Sequence, residues 1–374
     1  MKERAALVGV TTKNSRRIDP DLALEELEGL AMAAGASVAL KVIQERPKPD
    51  PATFIGSGKV LSLAKACDES RVDVVIFDNE LSPAQLRNLE TELGRKVLDR
   101  TQLILDIFAR RARTREGKLQ VELAQLQYLM PRLVGSSEAL SRLGGGIGTR
   151  GPGETKLETD RRRIRHRISV LKRDINDVSR RRAHLRDRRH KNAQPTVALV
   201  GYTNAGKTTL FNLLTGGSAV ASNALFVTLD PLIRRVRLAD GGQILLSDTV
   251  GFIDRLPHQL VAAFHATLEE VAAADLLLHV IDGSAHDLDR REEAVHTVLR
   301  EVGADKVPVI EVVNKIDLIA RDALDRLRYM RPDAIFISAA KGKGRADLLD
   351  AVGSRLEIGL PRWTAKRPAR VLSA

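Results

Sequence analysis

The fold is decided by Val197-Ala-Leu-Val200-Gly201-Tyr202-Thr203-Asn204-Ala205-Gly206-Lys207-Thr208, which runs on into Thr209-Leu-Phe-Asn-Leu-Leu214. A short apolar run meets a turn bracketed by glycines, and a helical pattern opens on Lys-Thr. That is G-x-x-x-x-G-K-[ST] in its strand–loop–helix setting, the P-loop. The glycines let backbone N–H groups wrap phosphates, and the helix N-terminus adds its dipole. Lys207 is expected to reach the β- and γ-phosphates, and the Thr208 hydroxyl to bind Mg²⁺. Gly201, Tyr202, Thr203, Asn204, Ala205, Gly206 and Thr209 complete the expected phosphate cradle.

Working downstream, Ile244-Leu-Leu-Ser-Asp248-Thr249-Val250-Gly251 is an apolar strand ending in D-x-x-G. Asp248 is expected beside Mg²⁺, and the Gly251 N–H against the γ-phosphate, where it senses hydrolysis. Between these elements lies Phe226-Val227-Thr228-Leu-Asp230. Its Thr228 is the expected third metal ligand on spacing, with Thr215 and Thr249 as rivals. Lys207, Thr228 and Gly251 form the expected catalytic set, and Thr208, Thr228 and Asp248 the metal set.

Asn314-Lys315-Ile-Asp317 follows the strand Val309–Val313. A carboxylate at 317 accepts hydrogen bonds from guanine N1–H and the 2-amino group. Adenine lacks both donors, so a buried Asp317 left unpaired selects GTP over ATP. Asn314 and Lys315 brace the loop, and Ser338-Ala339-Ala340 offers a backbone N–H to guanine O6. One position breaks the pattern: where many signalling GTPases carry a water-orienting Gln after D-x-x-G, this chain has Phe252. A phenyl ring cannot bond that water. Slow intrinsic hydrolysis is expected, with a partner completing the site, unless another residue of the chain supplies the missing contact.

The GTPase domain is therefore expected over 195–360, α/β, with a mostly parallel sheet and helices on both faces. Upstream, residues 1–115 alternate strands (Ala5–Val10, Ser37–Ile43, Val72–Phe77) with helices (Asp21–Ala34, Lys59–Ser70, Ser82–Gly94), a small parallel α/β domain. Ser82, Pro83 and Gly94 supply the N-cap, N1 and C-cap signals of the last helix. Residues 116–194 change character. Leu119, Leu123, Leu126, Met130 and Leu133 keep a 4-3-4-3 spacing, as do Ile164, Ile168, Leu171, Ile175 and Val178, continued at Leu185. Pro131 ends or kinks the first run, and the glycine-rich stretch 144–153 separates the two, giving a helical hairpin with a non-helical tip. Residues 361–374 read as a disordered tail.

The chain carries +12 at pH 7, with 60 Lys/Arg against 48 Asp/Glu. From Lys156 to Lys191 there are fifteen Lys/Arg and five Asp/Glu, a net of +10, so the excess is local. Solvated helix faces usually mix signs. Here Arg161–Arg163, Arg180–Arg182 and Arg186/Arg188/Arg189 are one-sign clusters, which points to a polyanion. Only 3% of residues are aromatic, against a base-stacking single-strand reader. Cys67 is the one cysteine, so no internal disulfide exists and a reducing cytoplasm fits. Cys67 itself reads as a core residue. No apolar run is long enough for a transmembrane segment, and the first residues do not form a signal peptide.

The P-loop string with Asp248-Thr-Val-Gly-Phe-Ile253 resembles the HflX family of translation-associated bacterial GTPases. So do Pro51-Ala-Thr-Phe-Ile-Gly-Ser-Gly-Lys59, Leu81-Ser-Pro-Ala-Gln-Leu-Arg-Asn-Leu89, Val97-Leu-Asp-Arg-Thr101, Arg113 through Gln127 and Gly144 through Glu158. The likeness spans about residues 5 to 355. It implies binding to the large ribosomal subunit and the 70S ribosome, GTP-dependent splitting of stalled ribosomes under stress, and rRNA contact through the basic hairpin 144–191. A large-subunit assembly GTPase and an ATP-driven RNA-remodelling protein are the competing readings. The resemblance also implies ATP at the N-terminal domain, although Gly56-Ser-Gly-Lys59 has the wrong spacing for a Walker motif. The chain departs from the family at Pro231-Leu-Ile-Arg234, where a threonine pair is usual, and ends without a further C-terminal domain. A monomer is expected.

Overall fold

A computed structural model describes residues 2–12, 19–132, 152–191, 194–217, 219, 225–239, 241–255 and 268–356. It forms two compact units. The first runs to Val178 and also takes in Phe226; the second begins at Ser179. The division falls inside one continuous helix, whereas the sequence pattern breaks at 115 and 194.

In the first unit, β1 (Arg4–Thr11), β2 (Ser37–Glu45), β3 (Val74–Phe77) and β4 (Lys96–Asp99) form a sheet in the order β2-β1-β3-β4, every pair parallel. α1 (Pro20–Ala33), α2 (Ser57–Glu69) and α3 (Pro83–Leu93) make the crossovers. β3 reads Val-Val-Ile-Phe and is buried throughout, as a central parallel strand must be. Cys67 lies with Val60, Leu63, Val75 and Phe77 in the core on one face, and burial raises its thiol pKa.

α4 (Arg100–Arg111) and α5 (Arg115–Arg132) follow β4. α5 extends one residue beyond Pro131. Its buried face is Gly117, Gln120, Val121, Ala124 and Tyr128, with Leu123 beside it. The expected Leu119/Leu126/Met130 seam is only half-buried. Burial of Gln120 is tolerated because its amide donates to Glu116 Oε1 at 3.1 Å. At the carboxyl edge of the sheet, the buried Asp99 accepts from Tyr128 Oη at 2.7 Å and from Arg132 Nη2 at 2.9 Å. Arg100 there donates to Asp78 at 2.9 Å and to Glu26.

α6 (Pro152–Lys191) is a single 40-residue helix. Pro152 and Gly153, expected in the non-helical tip, open it; proline has no N–H to lose at a first turn. The rest of the tip, Leu133 and the tail 361–374 lie outside the described residues, and so does the side chain of Leu185. The second seam, along α6, is buried to the same degree: Leu171 fully, and Ile164, Ile168, Ile175 and Val178 by half, while Arg162, Arg163, Arg180 and Arg181 are exposed. Arg167 bonds Glu122 of α5 through two nitrogens at 2.6 and 2.8 Å.

In the second unit six strands run in the order β10-β9-β8-β5-β7-β6. They are β5 (Thr196–Val200), β6 (Leu232–Arg237), β7 (Gln243–Asp248), β8 (Leu276–Asp282), β9 (Val309–Asn314) and β10 (Ile335–Phe336). All pairs are parallel except β6 with β7. α7 (Lys207–Thr215), α8 (Leu288–Glu301), α9 (Arg321–Met330) and α10 (Arg345–Arg355) complete it. β5 and β8 are wholly buried and lie at the centre. Their carboxyl ends, with those of β7, β9 and β10, open on one edge, where ligands of open parallel sheets bind.

Candidate functional site

The P-loop leaves β5 on backbone that needs its glycines. Gly201 has φ +149°, and a Cβ there would lie 2.3 Å from Val280 O. Gly206 has φ +93°, and a Cβ would lie 2.3 Å from Asn314 Nδ2. Lys207, the first residue of α7, is buried and donates to Gly201 O at 3.0 Å and Tyr202 O at 2.8 Å. Burial pushes its ammonium pKa down to about 8, against the opposing pull of Asp248.

Asp248 ends β7 with no solvent exposure. Its Oδ2 accepts from Thr208 Oγ1 at 2.8 Å and Thr228 Oγ1 at 3.0 Å, and the two hydroxyls are 2.8 Å apart. The structure thus brings Thr208, Thr228 and Asp248 together. The rivals lie elsewhere: Thr215 bonds Phe211 O at 2.7 Å and Thr249 bonds Leu199 O at 2.5 Å. Asp248 Oδ1 is buried and has no partner among the described residues. Burial raises the Asp248 pKa, offset by Lys207 and the two threonine hydroxyls. An uncompensated buried carboxylate oxygen beside two hydroxyls fits a hard divalent cation, which takes oxygen ligands.

Gly251 packs hard on the P-loop. A Cβ on it would stand 2.9 Å from Thr203 Cα and Cγ2 and 3.1 Å from Lys207 Nζ. Phe252 follows with no exposure, its N–H donating to Gly201 O at 3.1 Å and its carbonyl accepting from Thr203 N–H at 2.7 Å. Tyr202 reaches past it, its hydroxyl accepting from the Asp254 N–H at 2.9 Å. Val250 is buried, and Val227, Thr209 and Asn204 are less so. Phe226 belongs with the first unit, where its ring meets Phe108 edge-on at 4.6 Å.

After β9, Asn314 braces two loops, donating to Ala205 O at 2.9 Å and accepting from the Ala339 N–H at 2.9 Å. Lys315 takes φ +64° and pairs with Asp282 at 2.7 Å. Asp317 accepts from Ser338 Oγ at 2.6 Å, which holds its carboxyl below the usual range. Ala340 is exposed. The sequence reading missed Asp282: it ends β8, holds Lys315 and accepts from Ser284, but no motif marks it. Its signal was an apolar strand, Leu276 to Ile281, closing on Asp-Gly.

Known proteins match this arrangement along nearly the whole chain. GTPase HflX of Caldanaerobacter subterraneus is 49% identical over 355 residues, covering 95% of this chain and 81% of that protein. GTPase HflX of Escherichia coli K12 is 46% identical over 368 residues, covering 98% and 86%. The chain belongs to the HflX family. Family models agree with the division of the HflX sequence: "GTP-binding GTPase N-terminal" matches residues 21–109, "GTP-binding GTPase Middle Region" 111–189, and "50S ribosome-binding GTPase" 196–315. A solved complex of SsGBP with GDP is similar over 95% of this chain and 98% of that one, at 27% identity and a TM-score of 0.51. Like its HflX relatives, this protein is a GTPase.

Proposed function

We propose that this HflX-family GTPase acts on the large ribosomal subunit and the 70S ribosome. In its GTP form it splits stalled ribosomes, and the ribosome in turn stimulates hydrolysis. The observation that carries this reading is Phe252, fully buried with its backbone bonded on both sides to the P-loop. Nothing at that position can orient the attacking water, so the hydrolytic site needs a partner. The match of residues 196–315 to a 50S ribosome-binding GTPase model supports the partner's identity. The net +10 between Lys156 and Lys191 supports contact with rRNA through the hairpin 144–191.

In this reading Thr208, Thr228 and Asp248 would hold Mg²⁺, beside the unpaired Asp248 Oδ1. When bound, Mg²⁺ would supply positive charge against the triphosphate. Lys207 grips the same phosphates, the Gly251 N–H reads the γ-phosphate, and Asp317 reads the guanine edge while Asn314, Lys315 and the Ser338–Ala340 loop frame it. The protein works as a monomer in the cytoplasm; among the described residues no helix is long and apolar enough to cross a membrane. ATP at the N-terminal domain has no comparable support. The described carboxyl edge of that sheet carries the Asp78–Arg100–Glu26 and Asp99–Tyr128–Arg132 contacts in place of a glycine-rich phosphate loop.

Sucrose gradients test the reading. Purified 70S ribosomes mixed with the protein and a non-hydrolysable GTP analogue should resolve into 30S and 50S peaks. Particles that still sediment as 70S would refute splitting, and co-sedimentation with free 50S alone would favour the assembly role.

A further inference from the structure

Thr203 is 2% exposed, and its Oγ1 has no hydrogen-bond partner among the described residues. A buried hydroxyl left unbonded is unfavourable, and such groups persist where a ligand completes them. Its surroundings identify the ligand. The Thr203 N–H is taken by Phe252 O at 2.7 Å. Its Cα and Cγ2 and the Lys207 Nζ all close on Gly251, so near that a Cβ there would stand only 2.9 Å from the first two and 3.1 Å from the third. Thr203 and Lys207 therefore meet at Gly251, whose N–H reads the γ-phosphate in the reading above, on which this inference rests. Phe252, which ought to supply the water contact, has its ring buried and its backbone committed.

We propose that the Thr203 hydroxyl is a catalytic residue for GTP hydrolysis, filling part of the role that Phe252 cannot. It accepts a hydrogen bond from the attacking water and donates its own hydrogen to a γ-phosphoryl oxygen. The water oxygen forms the new bond to the γ-phosphorus. The bond from that phosphorus to the bridging oxygen breaks, and GDP leaves with the oxygen and the electron pair. The water proton passes to the departing phosphate, and Thr203 ends unchanged.

The test is single-turnover hydrolysis of radiolabelled GTP without ribosomes, alongside affinity for a fluorescent GDP. Thr203→Val keeps the branched shape and removes the hydroxyl; it should slow hydrolysis about 10²-fold, the scale of one lost transition-state hydrogen bond. Its GDP affinity should stay within about threefold, and Thr203→Ser should restore the rate to within about threefold of the parent. A Val variant at the parental rate, a Ser variant as slow as Val, or a Val variant losing GDP affinity as steeply as rate would each overturn the proposal. Parental GDP affinity in Lys207→Ala would overturn the phosphate placement beneath it.

Discussion

His279 sits in the centre of β8, 2% exposed, with its ring edge-on to His296 at 5.7 Å. Burial, then His296 and Arg331, push its pKa down to about 3. The folded protein holds this imidazole neutral, while the unfolded chain protonates it near the ordinary value. The folded state therefore binds fewer protons between the two values. Stability is complete above pH ~6.5 and falls as pH drops from there toward 3, by up to about 1.4 kcal/mol per pH unit. Followed from pH 7.5 to 5, the urea midpoint of the parent should fall relative to that of His279→Leu. Curves that stay parallel would show that His279 does not titrate in this way. No sequence motif marked this residue, since a lone histidine in an apolar strand carries no spacing signal. By contrast, the places of Lys207, Thr208, Asp248, Asn314 and Asp317 were legible, because their motifs tie them to the ends of apolar strands, and the structure sets them there.

At the level of elements, local chemistry was legible and tertiary burial of polar groups was not. α3 begins on Ser82, whose Oγ accepts from Gln85 N at 3.2 Å while Gln85 Oε1 accepts from Ser82 N at 3.0 Å. Pro83 follows at N1, and Gly94 closes the helix at φ +64°. Every one of those signals lies within a few residues of what it specifies. Ser82→Ala should therefore cost about 1 kcal/mol, read as a lower urea midpoint for the N-terminal unit, and an unchanged midpoint would discount the cap. α5 is the opposite case. Its leucine spacing promised a coiled-coil seam, but the deepest face includes Glu116 and Gln120, which satisfy each other, and Tyr128, which bonds Asp99 from β4. Polar residues buried by partners 4 and 29 residues away defeat a pattern that counts apolar spacing alone. The seam of α6 is buried no more overall, but its Leu171 is the one fully buried residue among those described on that helix, so no polar face displaces it.

Across the whole molecule, segments distant in sequence meet on one sheet edge. Asn314 ties Ala205 of the P-loop to Ala339 after β10, across separations of 109 and 25 residues. Ser338 fixes the Asp317 carboxylate, and Asp282 at the end of β8 anchors Lys315. The parallel order β10-β9-β8-β5-β7 makes this possible, since every contributing loop leaves a carboxyl end. In the proposed function, that edge holds a guanine nucleotide through Asp317. The direct measurement is competition of GDP and xanthosine diphosphate against a fluorescent GDP probe for the parent, and against fluorescent xanthosine diphosphate for Asp317→Asn. Xanthine carries a 2-oxo acceptor where guanine carries a 2-amino donor, so an amide at 317 matches it. The account predicts guanine preference in the parent and an inverted preference, by about 10²-fold or more, in the variant. An Asp317→Asn protein that still preferred GDP as strongly as the parent would contradict it.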